Sequence, residues 1–298
     1  MTIPNLSSTQ VAKIIPNASD IKILDQGGQK IVFNGKIDGK SYVFKFMSPG
    51  VFKNETLEED IYNITARAQR EVETLAQCNC PYLVKMGPIG LKTDIIDDQY
   101  LLFFSEELIE GKNLNRYYKE IGNFTNEELV KLALNISQAI YALWQFSKIH
   151  RDLKPGNIMR RETDGNFILL DMGLVFDLQD DSLSMGPVGT PRYFSPEHVD
   201  FLNRRTRMDF RSDLFSLGVV MYEMATGNHP FATSTSYSNW DIIGNIVKLN
   251  PPTPISVRQD LNQSLSELIM RLIAKRPALR FRSIELLHKA LFELEQGG

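Results

Sequence analysis

The spacing of apolar residues changes early in this chain of 298 residues, and the change limits the folds that the chain can adopt. Between Ile21 and Met47, β-branched and aromatic residues alternate with polar ones, and turn signals occur at GGQ, NGK and DGK. This pattern predicts three successive antiparallel strands. Two more strands are indicated by YLVKMGPIGLK and YLLFFSEEL, and residues 55–78 have the three-to-four spacing of a helix.

Beyond Gly111 the helical spacing dominates. Thr125 and Glu128 have the spacing of a capping box at the start of TNEELVKLALNISQAIYALWQFSKI, a long amphipathic segment. A buried helix is predicted for DLFSLGVVMYEMATG, and further helices for QSLSELIMRLIAKRP and SIELLHKALFELEQ. The predicted fold is α+β, with an N-terminal extension over residues 1–19, a sheet-rich part over 20–108 and a helical part over 109–298.

The composition excludes several classes of protein. A net charge of −3 lacks the basic excess of a nucleic-acid binder, so we expect no nucleic acid among the partners. Cys78 and Cys80 are too few for a disulfide framework or a zinc site, which favours free thiols in a reducing compartment. Because we find neither a secretory signal nor an apolar run of membrane-spanning length, we expect a cytoplasmic protein with no membrane segment in this chain.

The stretch KIHRDLKPGNIM lies between the long helix and a short predicted strand, NFILL, which runs into DMG. Asp171 of DMG follows Asp152 by 19 residues and Asn157 by 14, so a loop and a strand end can converge on one divalent cation. Oxygen ligands of this kind suit Mg²⁺, which keeps substrate phosphates in its coordination shell. Scattered surface charge is the alternative for such a run when it stands alone.

These stretches resemble the protein kinases. HRDLKPGN is similar to their catalytic loop, and DMG to their metal-binding Asp-Phe-Gly motif with Met in place of Phe. The resemblance covers about residues 20–295 and implies a bilobal protein-kinase-like fold, in which a small antiparallel sheet lobe binds the nucleotide and a larger helical lobe carries the catalytic loop. The short hairpins and the GGQK loop look more like a bacterial eukaryotic-like kinase than an animal one.

The resemblance assigns roles to four residues of the helical lobe. Asp152 would accept the proton of the substrate hydroxyl and orient it for in-line attack, while Lys154 would meet charge on the transferred phosphoryl group. Asn157 and Asp171 would hold Mg²⁺. A lysine at position 154 is typical of the serine/threonine class.

The same resemblance places ATP on the sheet lobe. Lys45, in YVFKF, matches the lysine that contacts the α and β phosphates, and its carboxylate partner is Glu71 rather than Glu73 when counted back from PYLVK. Val32 has the spacing of the residue that covers the adenine ring. The stretch SEELIEG resembles the hinge of the family. The backbone groups that hydrogen-bond the adenine edge would belong to Glu107 and Ile109.

Two features depart from the family pattern. The phosphate loop should fall on DQGGQK, where only Gly27 matches, Gly28 adds flexibility, and Asp25 and Lys30 replace the first and third glycines. We expect Asp25 to point away from phosphate. Glu106 occupies the gatekeeper position, where apolar residues are commoner; a buried glutamate needs a partner or a raised pKa, and the sequence indicates no partner.

The segment GTPRYFSPE resembles the end of a kinase activation segment. The resemblance implies that Thr190 bonds to Asp152 and Lys154. It also implies that Glu197 pairs with Arg280 and that Asp213 bonds to the catalytic loop. These ties would be internal to the helical lobe.

Arg151 would receive a phosphate from the activation segment, for which Ser182, Ser184 and Thr190 are candidate acceptors. Autophosphorylation in trans would need a transient homodimer.

The predicted function is therefore a serine/threonine protein kinase that uses ATP and Mg²⁺ on protein substrates. Two alternatives stay open. A pseudokinase that only binds nucleotide is kept possible by Asp25 and Lys30. A small-molecule phosphotransferase of related fold is the other, although those proteins usually lack the SPE segment and the SDLFSLGVVMYEM helix.

Overall fold

The computed structural model describes residues 4–27, 30–48, 57–97, 99–177, 189–204, 208–232 and 238–296. The chain forms two compact units: unit 1 comprises residues 1–79 and 84–109, and unit 2 comprises residues 80–83 and 110–298. Unit 1 is built on a sheet and unit 2 is mainly helical.

Unit 1 contains α1 (Ser8–Ile14), β1 (Ala18–Gly27), β2 (Lys30–Ile37), β3 (Lys40–Met47), α2 (Leu57–Gln77), β4 (Lys92–Ile96) and β5 (Gln99–Glu107). The strands form one antiparallel sheet in the order β1-β2-β3-β5-β4. A tight turn joins β2 to β3 at Asp38 and Gly39, whose φ angles of 49° and 75° are those of a primed hairpin turn.

The two faces of this sheet differ in character because side chains alternate along each strand. One face is apolar and packs phenylalanines of β2, β3 and β5 against Leu6, Val11 and Ile15 of the N-terminal segment that contains α1. The opposite face carries a row of directly paired residues, Val32 on β2, Lys45 on β3 and Phe104 on β5. The sheet therefore buries a lysine on the face that the apolar core leaves free.

One predicted turn in this region is wrong. NGK, residues 34–36, lies inside β2 rather than in a turn. Gly35 is there for packing, since a Cβ atom at this position would lie 2.8 Å from the ring of Phe44 and 3.1 Å from the Ser19 carbonyl oxygen. A glycine followed by a polar residue imitates a turn signal even when it serves close contact between strands.

One predicted strand is misplaced. Residues 82–91 form only isolated bridges, at Leu83 and Met86, whereas β4 begins at Lys92. Pro81 and Pro88 interrupt strand pairing in the first stretch. β4 itself is a mostly exposed edge strand with the sequence KTDII, so its apolar signal is weak.

Unit 2 contains β6 (Gly111–Asn113), α3 (Leu114–Ile121), α4 (Asn126–Trp144), β7 (Lys148–Ile149), β8 (Ile158–Arg161), β9 (Phe167–Leu169), β10 (Phe176–Asp177), α5 (Pro196–Arg204), α6 (Phe210–Thr226), α7 (Asn239–Lys248), α8 (Pro254–Val257), α9 (Gln263–Leu272) and α10 (Ile284–Gln296). Among the residues described, no helix combines the length and the apolar character of a membrane span.

The long helices of unit 2 follow the predicted pattern. The capping box of Thr125 and Glu128 begins α4, and α6 is buried along nearly its whole length. α4 ends at Trp144, earlier than predicted, because Lys148 and Ile149 pair with β10 instead of continuing the helix. The short helices α3, α5 and α7 were not predicted.

Short strands place the segment that carries HRDLKPGN. This segment runs from β7 to β8, and β8 pairs with β6 on one side and β9 on the other. Ile158 pairs with Leu169, and the Leu170 amide donates to the Asn157 carbonyl oxygen at 2.8 Å. Asp171 therefore follows directly after the residue paired with Asn157.

Replacing Gly35 by alanine should destabilise unit 1 by about 1–3 kcal/mol, because the added methyl group must displace Phe44 in a packed core. Urea unfolding followed by circular dichroism would measure the loss. Gly90→Ala is the matched control, since a Cβ atom at Gly90 meets no atom within 4 Å. Equal stabilities of the two variants would show that Gly35 is not required for packing.

Candidate active site

Asp152 is the most heavily bonded side chain of the loop between β7 and β8. Its Oδ1 accepts a hydrogen bond from Thr190 Oγ1 at 2.8 Å, and its Oδ2 accepts from Lys154 Nζ at 2.6 Å and from Asn157 Nδ2 at 3.0 Å. The residue is only 6% exposed. Three donors from separate side chains therefore fix the orientation of one buried carboxylate.

Thr190 contacts two side chains of this loop. Its hydroxyl donates to Asp152 and accepts from Lys154 Nζ at 2.8 Å, so a single oxygen atom bridges the acid and the lysine. The 3-10 turn Pro191–Tyr193 begins at the next residue. Ser182 and Ser184 lie outside the described residues.

A second buried carboxylate holds the backbone of the loop. Asp213, in the first turn of α6, accepts from the His150 amide at 2.7 Å and from the Arg151 amide at 3.0 Å. Burial raises the pKa of Asp213, and the nearby charges and amides of His150 and Arg151 oppose that rise. Arg151 has a φ of 65°, so the loop turns sharply just before Asp152.

The guanidinium group of Arg151 is turned toward the chain that follows β9. Its Nε donates to the Leu174 carbonyl oxygen at 2.9 Å, and its Cζ lies 4.7 Å from the ring centroid of Phe176. The side chain predicted to receive a phosphate is thus held within unit 2.

Asn157 and Asp171 present oxygen atoms on neighbouring segments. Asn157 Nδ2 donates to both the carbonyl oxygen and the carboxylate of Asp152, which turns its side-chain oxygen the other way. Asp171 has a φ of 64°, and its Oδ1 accepts from the Gly173 amide at 3.4 Å. No group of three or more His, Cys, Asp or Glu residues suited to a metal ion occurs in the described part of the chain.

Unit 1 contains a buried cluster of three charged side chains. Lys45 Nζ donates to Glu71 Oε1 at 2.6 Å and to Glu106 Oε1 at 2.7 Å. All three residues are at most 6% exposed, whereas Glu73, the other candidate partner on α2, is exposed. One ammonium group is therefore shared by two carboxylates.

Glu106 has the partner that could not be inferred from its sequence position. Burial raises the pKa of Glu106 to about 7; the charge of Lys45 opposes the rise and the charge of Glu71 adds to it. Glu106 pairs with Val43 across β5 and β3, so it faces the same side of the sheet as Lys45, two residues along. The pairing register of these strands would have revealed the contact.

The predicted phosphate loop is partly described. Gly27 ends β1 in an exposed position where a Cβ atom would meet nothing within 4 Å, and Gly28 lies outside the described residues. Asp25 is exposed and its Oδ1 accepts from the Gln26 amide at 2.9 Å. Lys30 is half-buried on the face of the sheet that carries Lys45.

The remaining predicted nucleotide contacts lie on β2 and at the end of β5. Val32 is half-buried directly opposite Lys45. The Glu107 amide donates to the Lys85 carbonyl oxygen at 2.9 Å, and its side chain accepts from the Lys85 amide at 2.9 Å. Ile109 is buried. The amide of Glu107 is thus occupied, which leaves its carbonyl oxygen as the group to consider for a ligand.

Comparison with known proteins identifies the family of this chain. A model of the protein kinase domain matches residues 18–292. The chain belongs to the protein kinase family. Membership implies ATP as a substrate and, typically, Mg²⁺ with it. The predicted family resemblance and the predicted α+β kinase fold are confirmed.

Relatives of this kinase domain occur in bacteria. "Serine/threonine-protein kinase A" of Synechocystis is 27% identical over 294 residues, which are 92% of this chain and 52% of that protein. "Serine/threonine-protein kinase pkn3" of Myxococcus xanthus is 28% identical over 277 residues, 88% of this chain and 47% of that protein. "Probable serine/threonine-protein kinase PknB" of Bifidobacterium longum is 33% identical over 188 residues, 61% of this chain and 26% of that protein. The chain therefore spans only a quarter to a half of their length.

A buried ion pair lies within the helical unit of the kinase domain. Arg280 Nη1 and Nη2 donate to the two oxygens of Glu197 at 2.5 and 2.9 Å, and Ser212 Oγ donates to Glu197 at 2.8 Å. Burial alone would raise the pKa of Glu197, but the bonds and charge of Arg280, together with a backbone hydrogen bond and the bond from Ser212, hold that pKa below its usual value. Arg280 is 1% exposed and also donates to the Arg211 carbonyl oxygen at 2.7 Å.

One acidic residue of the kinase domain was missed in the sequence. Tyr193 of GTPRYFSPE donates through its hydroxyl to Glu223 Oε2 at 2.8 Å, and both line a cavity with Asn115 and Pro155. Burial raises the pKa of Glu223 to about 7. Glu223 belongs to the apolar helix α6, where its position next to Tyr222 gave no sign that it faces a cavity.

Replacing Glu197 by glutamine should destabilise the kinase domain by about 3–5 kcal/mol, since it leaves the buried Arg280 charge unpaired. Urea unfolding at neutral pH would measure the loss. The control is Glu293→Gln, which removes an exposed pair with Lys289 at 4.0 Å and should cost less than about 1 kcal/mol. A Glu197 variant as stable as the control would rule out this role for the buried pair.

Proposed function

We propose that this chain is a serine/threonine protein kinase domain that transfers the γ-phosphoryl group of ATP to hydroxyl groups of protein substrates. The observation that carries the proposal is the buried carboxylate of Asp152 held jointly by Lys154, Thr190 and Asn157. The names of the bacterial relatives support the serine/threonine class.

Asp152 is the proposed base and orienting group for the attacking hydroxyl. A carboxylate with a fixed orientation can accept the hydroxyl hydrogen and direct the oxygen lone pair in line with the bond that breaks. The Lys154 ammonium lies 2.6 Å from this carboxylate, so positive charge is available beside the point where negative charge develops. Thr190 limits the freedom of both side chains through its single hydroxyl.

Mg²⁺ is the proposed metal, and the residues present suit it. The carboxylate of Asp171 and the side-chain oxygen of Asn157 are the hard oxygen ligands that this ion prefers, and two protein ligands are enough when substrate phosphates and water complete the shell. When bound, Mg²⁺ would neutralise charge on the nucleotide phosphates. The hydrogen bonds of Asn157 to Asp152 keep its oxygen directed away from the base.

Unit 1 is the proposed nucleotide-binding part, and unit 2 the proposed catalytic part. Lys45 would contact the α and β phosphates, with Glu71 holding it in position across 2.6 Å. The Glu107 carbonyl oxygen and the Ile109 amide would bond the edge of the adenine ring, with Val32 covering its face. Backbone amides at Gly27 and Gly28 would approach the phosphates. The reaction needs ATP, so a cytoplasmic location stays part of the proposal.

Protein serine and threonine residues are the proposed acceptors, including residues of a second copy in a transient homodimer. Autophosphorylation of Ser182 or Ser184 stays a prediction.

Two other functions compete with the proposed protein kinase activity. A pseudokinase would bind nucleotide without transfer, and a small-molecule phosphotransferase would label a metabolite or drug instead of a protein.

Asp152→Asn should lower phosphoryl transfer by about 10²–10⁴-fold, because an amide cannot accept the hydroxyl proton. Radiolabelled MgATP with casein as a general acceptor would measure transfer, and circular dichroism would check folding. Asp94→Asn, an exposed change on β4, should behave as wild type. Transfer by Asp152→Asn at the wild-type rate would refute the assigned role, and wild-type protein that binds ATP without labelling any acceptor would indicate a pseudokinase.

Thr190→Val should lower kcat by about 10–100-fold with little change in the KM for ATP, since it removes a charge-assisted hydrogen bond to Asp152 while conserving volume. Thr190→Ser keeps the hydroxyl and should retain most of the activity. Steady-state kinetics on the three proteins would test this. A serine variant as impaired as the valine variant would show that the methyl group, not the hydroxyl, matters.

A further inference from the structure

In the part of unit 1 that the structure describes, the ammonium group of Lys45 lies between two carboxylates. Glu71 on α2 and Glu106 on β5 both accept from the same ammonium group, at 2.6 and 2.7 Å. Lys30 on β2 also lowers the pKa of Glu106, and among the described groups that act on that carboxylate its influence is the weakest. Glu71 alone would neutralise Lys45, so Glu106 is a second counter-ion.

A second counter-ion opposes the binding of a phosphate. If both carboxylates are ionised, a nucleotide phosphate that approaches Lys45 adds negative charge to a buried group that is already negative. Such charge is costly at low local dielectric constant. The cluster can relieve it by taking up one proton from solvent on a carboxylate, after which one acid, one ammonium and one carboxylate remain.

Glu106 is the carboxylate suited to take that proton. Burial raises the pKa of Glu106 to about 7, which places its titration near neutral pH. Its side chain is 4% exposed and lies on an interior strand of the sheet, so it cannot turn out to water as easily as a group on a loop. A protonated Glu106 can still accept from Lys45 through its carbonyl oxygen.

We propose that Glu106 is a positioning residue that sets nucleotide affinity: it holds Lys45 as a second counter-ion and takes up a proton when nucleotide phosphates engage Lys45. The proposal rests on the proposed function, because it requires Lys45 to contact a phosphate. Nucleotide binding and proton uptake are then linked, and release of the nucleotide returns the proton to solvent.

The sign of the linkage follows from the raised pKa. Below that pKa Glu106 is already neutral, and affinity is insensitive to pH. Above that pKa, Glu106 must take up a proton from solvent each time a nucleotide binds. The apparent Kd therefore rises by up to about tenfold per pH unit until the pKa of the bound form is reached. A glutamine at this position never ionises, and its affinity should stay flat with pH.

Isothermal titration calorimetry with MgADP would test the linkage without phosphoryl transfer. Titrations between pH 7 and 8.5, in pairs of buffers with different ionisation enthalpies, give both Kd and the number of protons taken up. For the wild type we expect Kd to rise by about tenfold over this range, with a fraction of a proton taken up per nucleotide bound near pH 8. For Glu106→Gln we expect less than a twofold change and no uptake.

The matched control is Glu73→Gln, which makes the same chemical change at an exposed position of the helix that carries Glu71. It should reproduce the wild-type pH dependence. Glu106→Met gives a second non-titrating side chain of similar length should the glutamine variant fail to fold, and it should also give a flat profile.

A readout without nucleotide separates this inference from the proposed function. Because the raised pKa of Glu106 disfavours its ionised form in the folded protein, wild-type stability should fall relative to Glu106→Gln as pH rises from about 4.5 to 7, in urea unfolding. Parallel stability profiles of the two proteins would overturn the inference. MgADP binding with equal pH dependence in both would overturn it while leaving the kinase function intact, whereas no MgADP binding by any variant would overturn both.

Discussion

The buried carboxylate of Asp213 is the constraint on which the loop between β7 and β8 depends. It accepts two consecutive backbone amides, those of His150 and Arg151, at the point where the chain turns with a positive φ. Amides in such a turn cannot be satisfied by a helix or a sheet, and leaving them unpaired in the interior would cost about 1–3 kcal/mol each. Because Asp213 belongs to the buried helix α6, these two hydrogen bonds tie the loop to that helix immediately before Asp152.

Two buried clusters of charged side chains in this protein differ in their ratio of acidic to basic groups. In unit 2, Glu197 and Arg280 are matched one to one and bonded through both oxygens, with Ser212 adding a donor. In unit 1, Lys45 is shared between two carboxylates, and one of them has a strongly raised pKa. The first arrangement satisfies every charge and suits a fixed support. The second shares one ammonium group between two carboxylates, and the proposed response to a nucleotide phosphate rests on this sharing.

The sequence was informative wherever a local pattern carries its own physical meaning. The capping box at Thr125 marks the start of α4, and the run HRDLKPGN with the later DMG indicated the protein kinase family. It was less informative where the outcome depends on partners distant in the chain. The contact of Glu106 with Lys45 depends on the register of β5 against β3, the glycine at position 35 serves packing against Phe44, and β4 is too exposed to show an apolar alternation.

The N-terminal segment has a practical consequence for anyone who cuts this chain into fragments. The match to the family begins at residue 18, but Leu6, Val11 and Ile15 before it are buried at 4% exposure or less against the apolar face of the sheet. Each such side chain contributes about 1.5–3 kcal/mol when removed from water. A fragment that begins at residue 18 would lack these three side chains and expose the phenylalanines of the sheet to solvent. We expect such a fragment to be less stable and more prone to aggregate. The useful boundary therefore lies ahead of α1.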